Sequence, residues 1–273
     1  MKALISTVCL LLVACGNETE APKPGLELLD AGGGEKHKLR YAPKEGTKYE
    51  LVLTMEMDLG TGLKPPATSF TMEILVNSVS AEGDIDYGFR FTSIDVDGQE
   101  APPQFRELLK VRGSAVVSSR GVNKSGKVDL PDSAPESLKQ MMSKFEEQIR
   151  QMSCPFPHEP VGVGAKWKLT QVIDTPAFTL NQFADYELVE FDGTRGKLKL
   201  TLTQSAKDQE MKGLAIKATL VSLASKGTGE LEFDLSKPIP VNSNVEISSN
   251  VHVAVKEETH EQEIKIKISI KEK

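Results

Sequence analysis

This chain has little with which to build covalent or highly charged architecture. Its 273 residues include three cysteines, one tryptophan, four tyrosines and four histidines, and aromatic residues make up only 5%. Cys9 and Cys15 belong to an N-terminal apolar run, so Cys154 stands alone in the rest of the chain. A disulfide within the rest of the chain is therefore excluded, and a packed core has to carry its stability. No block of Lys and Arg occurs, and the formal charge is −6. An acidic surface without a basic patch excludes the electrostatic footprint of a nucleic-acid binder. It also gives no reason for adhesion to anionic lipid by charge. Signatures of catalysis are missing as well: there is no Gly-x-Ser-x-Gly elbow, no complete phosphate-cradling loop ending in Gly-Lys-Ser/Thr, and no His-Glu-x-x-His. Neither an enzyme nor a cofactor is expected.

What is present begins at the N-terminus. Met1-Lys2 supplies one positive charge, and an apolar segment of about a dozen residues follows, too short for a transmembrane helix of roughly 20. It closes in Leu12-Val13-Ala14-Cys15, which resembles the lipobox of bacterial lipoproteins. The resemblance implies that residues 1–14 are a signal peptide and that Cys15 becomes the first mature residue. Its thiol would then carry diacylglycerol and its amino group an acyl chain such as palmitate. The protein would be exported and anchored to the cell membrane through Cys15. By the same analogy Gly16, rather than Asp, favours the outer membrane where the envelope has two. The alternative is an ordinary secretory signal with a chance cysteine. Two acyl chains at about 0.8 kcal/mol per buried CH₂ would make a stable anchor.

Residues 15–38 are polar and rich in Pro and Gly, with Leu26-Glu27-Leu28-Leu29 as the one apolar island; a flexible tether is expected. Residues 39–131 alternate with a period of two, as in Tyr49, Leu51, Leu53, Met55 and Met57, which predicts half-buried strands. A short helical stretch is expected at Phe105–Leu109. Residues 154–273 return to that period, with separate strands expected at Leu214–Leu223 and Gly229–Leu235, and a final hairpin turning at 257–259. Trp167 opens the first strand of this part and is expected to be a buried anchor.

The stretch 132–153 differs. Leu138, Met141, Met142, Phe145, Ile149 and Met152 share one helical stripe. Ser133 with Glu136 forms a capping box, and Pro155 and Pro157 end the pattern. The stripe is expected to pack as core against a sheet; the alternative is that Leu138, Met141, Met142, Phe145 and Ile149 line an adaptable apolar groove, since thioethers repack easily.

Two landmarks suggest duplication. Gly46-Thr47-Lys48-Tyr49-Glu50-Leu51 matches Gly164-Ala165-Lys166-Trp167-Lys168-Leu169, and Arg112-Gly113-Ser114 matches Lys226-Gly227-Thr228. Candidate chemistry is thin. Prolines between Cys154 and His158 impose a stiff path, so the thiol is expected to be inert. His252 and His260, with Glu258 or Glu261, and the Asp84-x-Asp86 and Asp95-x-Asp97 pairs read as solvated strand ends rather than metal ligands. Pro157-His158-Glu159-Pro160-Val161-Gly162-Val163-Gly164-Ala165-Lys166-Trp167 resembles the middle of a group of uncharacterised bacterial exported proteins and lipoproteins, and the resemblance implies a fold rather than a function.

The expected fold is mainly β: antiparallel curved sheets or a partly open barrel from two related halves, with one long amphipathic helix. In outline it is similar to periplasmic lipid- and lipoprotein-carrier folds. The expected function is that of a lipid-anchored envelope protein with a structural or interaction role. A carrier or binder of an apolar ligand in a sheet–helix groove is the alternative.

Overall fold

Period-two alternation becomes strand nearly everywhere it occurs. The computed structural model describes residues 25–60, 62, 64–101, 103–130, 153–175, 177–213, 217–256 and 258–273. Their strands are β1 (Gly25–Asp30), β2 (Lys48–Asp58), β3 (Thr68–Val79), β4 (Ile85–Val96), β5 (Gln99–Glu100), β6 (Arg112–Val117) and β7 (Asn123–Asp129). Then come β8 (Lys166–Asp174), β9 (Thr179–Phe191), β10 (Arg195–Ala206), β11 (Gln209–Glu210), β12 (Ala218–Asp234), β13 (Asn242–Val255) and β14 (Glu258–Glu272). They form one antiparallel sheet ordered β1-β8-β9-β10-β12-β13-β14-β2-β3-β4-β6-β7, open between β1 and β7. The last strand, β14, lies between β13 and β2, so the C-terminus joins the two stretches of the chain. A 3₁₀ helix at Pro103–Lys110 is the only helix among the described residues. The amphipathic stripe expected over 132–153 lies, except for Ser153, outside them.

Two expectations are corrected. Residues 25–38 are not tether: Leu26 and Leu28 pack against the main core, and β1 extends the sheet edge beside β8. The apolar island was long enough to form an edge strand once a partner strand was supplied. The strands expected at Leu214–Leu223 and Gly229–Leu235 are instead one, β12, running through Gly227 and Gly229. Glycine weakens an isolated strand, but here both neighbours, β10 and β13, hold the backbone in register past the two glycines.

Each strand sorts its residues between two faces. The outer face of β8, β9 and β10 sets opposite charges side by side, with Lys168 3.5 Å from Asp185 and Lys197 3.3 Å from Glu190. These exposed pairs contribute little stability each but fit the register. The inner face carries the core, in which Leu51, Ile74, Ile85, Leu188, Leu198, Phe233 and Trp167 are almost completely buried.

A strap closes the gap between the sheet ends. His37 and Val161 exchange backbone hydrogen bonds of 2.8 and 2.9 Å, Tyr41 N–H donates to Ser119 O, and Phe156 N–H donates to Arg120 O. Arg40 donates to the carbonyls of Pro157 (2.9 Å) and His158 (2.7 Å). Trp167 sits beneath this strap, stacked on Tyr186, with Nε1–H donating to Pro155 O at 3.0 Å. Ahead of β2 and β8 the backbone makes the same corner twice. Gly46 and Gly164 both take positive φ (79° and 84°), which glycine adopts without Cβ strain. Gly46 N–H donates to Val76 O and Val76 N–H to Thr47 O, while Gly164 N–H donates to Leu188 O and Leu188 N–H to Ala165 O.

The far end of β12 is tied down by a buried charge. Asp234 accepts from Ser236 N–H (2.9 Å) and Oγ–H (2.6 Å) and from Arg195 Nε–H (3.1 Å). Burial raises its pKa, but the bonds from Ser236 and the charges of Lys237 and Arg195 outweigh that and hold it below the usual carboxylate range. Lys237 also pairs with Glu272 and lies over the Tyr49 ring, 5.5 Å from its centroid, linking β12 to β14 and β2.

Trp167→Ala is expected to remove about 3–5 kcal/mol of stability, the loss typical of a large buried aromatic. Denaturant unfolding of the two proteins measures it. Native emission of the wild type at the wavelength of solvated indole would contradict the burial.

Candidate functional site

The inner face contains one feature that core packing alone does not demand. Reading across β8, β9, β10, β12 and β13, the register aligns Gln171, Gln182, Gln204, Ser225 and Ser249 in a single row. Gln182 Nε2–H donates to Gln171 Oε1 at 3.1 Å, and Gln204 Nε2–H donates to Gln182 Oε1 at 2.7 Å. Ser249 Oγ–H donates to Ser225 Oγ at 2.7 Å. Gln182, Ser225 and Ser249 are buried. A buried amide or hydroxyl without a partner is costly, and cross-strand alignment satisfies these groups with one another.

This polar row divides two apolar regions. On one side lies the main core around Trp167; on the other, Ile173, Leu180, Ala206, Leu220 and Leu223 form a separate small cluster. Above the row and the adjoining part of the main face is a concave groove of about 460 Å³. Its walls are Leu169, Ala184, Leu202, Ile247, Ile266 and Ile268, with Met55 from β2 and Ser153, Cys154 and Pro155 from the strap. Ile247, Ile266, Ile268 and Val245 are only half-buried, although they occupy inward positions. Glycines of β12 lie beside the lining residues Val245 and Ile247. A Cβ on Gly229 would lie 2.8 Å from Val245 Cγ2, and one on Gly227 3.0 Å from Ile247 Cγ1, so β13 side chains lean across β12.

Among the described residues, none that lines the groove is Asp, Glu, Lys, Arg or His, although such charged types abound on the outer face. Tyr186 and Cys154 also border it, and burial pushes both their pKa values well up, so phenol and thiol stay neutral. Asn123 at the mouth has a buried Nδ2 without a hydrogen-bond partner.

The other candidate residues are not brought together. Cys154 is free and buried, and His158 lies beyond the prolines on the strap, where its carbonyl accepts from Arg40. His252 stands opposite Glu261 and His260 opposite Val253, so the two imidazoles lie on opposite faces of the last hairpin. Among the described residues no group of three or more metal-ligating side chains occurs. Asp84 pairs with Lys124, Asp86 accepts from Asn77, and Asp97 accepts from Ala67 N–H, which are structural roles. Cys15 and the stripe Leu138, Met141, Met142, Phe145 and Ile149 lie outside the described residues.

Sequence reasoning overlooked the polar row. Its signal was a polar residue at an inward position on each of five strands, as in Leu169-x-Gln171-x-Ile173 and Ile247-x-Ser249-x-Val251. One such residue in one strand means little; five aligned by register make a site. Compared with known proteins, the chain matches no family model and no curated protein.

The buried thiol predicts a measurable inertness. Folded protein is expected to resist iodoacetamide at pH 8, and unfolded protein to react at Cys154 at the rate of a free thiol. Rapid labelling of the native state would show the strap to be open.

Proposed function

We propose that this protein is an exported, lipid-anchored binding protein that holds an apolar ligand against the concave face of its sheet. The groove carries this reading. Its volume of about 460 Å³ falls within the range of ligand pockets, about 300–1,000 Å³, and its apolar walls with a few convergent polar groups match their composition. A protein built only as a scaffold has no need for half-buried isoleucines on the inward face of its sheet. In this reading Cys15 carries the lipid that holds the domain at the membrane, the outer one where there are two, and the groove faces the periplasm or exterior.

The long amphipathic helix belongs to the same proposal. Leu130 packs against the main core and Ser153 lines the groove, and this supports the reading. The stripe Leu138, Met141, Met142, Phe145 and Ile149 is then the helical wall of a sheet–helix groove. We also read the two halves as copies of one β unit, because their Gly46 and Gly164 corners share conformation and bonding. A structural or interaction role is the second reading: the core around Trp167 is filled without a ligand, and β1 and β7 present sheet edges to a partner strand.

Native mass spectrometry of the Cys15→Ser chain, purified from its producing cells without detergent, is expected to show adducts that denaturation releases. Bare mass, together with failure to bind any added apolar probe, would overturn the binding role. In intact cells Cys15→Ser is expected to abolish labelling by palmitate; continued labelling would refute the anchor.

Phe145→Asp separates wall from core. As a groove wall, the variant is expected to melt cooperatively near the wild-type temperature while losing an apolar fluorescent probe. Global unfolding would instead place Phe145 in the packed core, where an unpaired carboxylate is not tolerated.

A further inference from the structure

We infer that β14 exchanges between two copies of this chain, each copy's β14 filling the place between β13 and β2 of the other. The interaction surface is the pair of strand edges on either side of β14, and the partner is a second copy. This goes beyond the binding role proposed above and does not depend on it. Three observations carry it.

The first is how the sheet is closed. β2 pairs with β3 and β13 with β12 through short connections, whereas β14 meets β2 and the loop after it across 203 residues or more. Until β14 arrives, β2 presents an open edge on which Leu51, Leu53 and Met55 alternate with polar residues. Such an edge accepts a strand from any chain. Closing so long a loop carries an entropic cost, so at high protein concentration a second copy's β14 competes with the chain's own.

The second is a strained hinge. Val255 stands opposite Glu258, so two residues, 256 and 257, join β13 to β14. Lys256 takes a φ of 57°, in the left-handed region. Among the described residues only Asp97 is a second non-glycine there, and its short side chain accepts from Ala67 N–H, which suits that conformation. Lysine has no such compensation. In an exchanged pair the strand runs straight through this point and the strain is released, and short strained connections favour exchange for this reason. The hinge is also accessible. β2 pairs with β14 over Lys265–Glu272, and Lys256 and Glu258–Glu261 are exposed beyond it.

The third is that exchange loses no contact of β14. Ile270 is buried, Glu272 pairs with Lys237, and Lys273 Nζ lies 3.4 Å from Glu50. Lys273 N–H donates to Glu50 O at 3.1 Å. In an exchanged pair each of these is remade with the identical residue of the other copy, so the two states differ at the turn.

The test refolds the mature chain carrying Cys15→Ser from urea at about 1 μM and about 500 μM, the latter approaching the millimolar effective concentration of a tethered partner. Light scattering after size exclusion reads the mass. Monomer is expected at the lower concentration and dimer at the higher. Thr54→Cys with Ser269→Cys identifies exchange, because these positions stand directly opposite on β2 and β14, at a spacing a disulfide spans. After oxidation the dimer is expected to stay covalent in a denaturing gel, and the monomer to run as a single chain. Lys256→Gly accepts a positive φ without strain and is expected to lower the dimer yield about tenfold, since each dimer relieves two such turns. Monomer at both concentrations, or a dimer whose disulfides form within each chain, would overturn the exchange. An unchanged dimer yield in Lys256→Gly would overturn the turn as its hinge. The concentration series keeps the sheet unmutated and stands even if the cysteine pair does not fold.

Discussion

The indole hydrogen bond from Trp167 to the carbonyl of Pro155 joins the two parts of this structure that depend on each other, the sheet and its strap. An open antiparallel sheet twists and coils, leaving two bare edges and one apolar face. Here the face is covered by curling, and the curl is held where the strap runs between the ends. The strap reaches the β6–β7 turn through Tyr41 and Phe156, and reaches β8 through Trp167. Because the indole is fully buried and stacked on Tyr186, its N–H has no access to water and needs a partner. Pro155 supplies it from a backbone that two prolines keep extended. The strap is thus fixed at Trp167 by one buried donor and elsewhere by the backbone bonds of His37, Tyr41 and Phe156 and the side chain of Arg40.

Within the curl, polarity is arranged in rows rather than patches. Register places the glutamines and serines of five strands side by side, so each buried polar group finds its neighbour on the next strand. The same polar residues scattered along the sheet would each be an unsatisfied group in an apolar setting. Concentrated, they become a strip in which Gln182, Ser225 and Ser249 are buried and Gln171 and Gln204 are half-buried. Glycine works in the same space for a different reason: the absence of Cβ at Gly227 and Gly229 lets Val245 and Ile247 lean inward.

Charge is kept to the opposite face. Lys–Asp and Lys–Glu pairs line the outside of β8, β9 and β10, and the buried Asp234 is surrounded by Ser236, Arg195 and Lys237 at the end of β12. Among the described residues, those lining the concave groove carry no charge.

Much of this was legible in the residues. Alternation in Tyr49–Met57 and in Ile264-Lys265-Ile266-Lys267-Ile268 specifies strands with one apolar face, because side chains in a strand alternate whatever their partners are. The lone Trp167 at the head of such a strand reads as a buried anchor, and it is one. Other features depended on partners distant in sequence. Leu26–Leu29 looks like an island in a tether until β8 lies beside it, and Gly227 and Gly229 look like a break until β10 and β13 hold them. The polar row is the clearest case. Alternation determined that Gln171, Gln182, Gln204, Ser225 and Ser249 face inward, but no local pattern states how strands are set against one another. Register, which comes from tertiary pairing, brought them together.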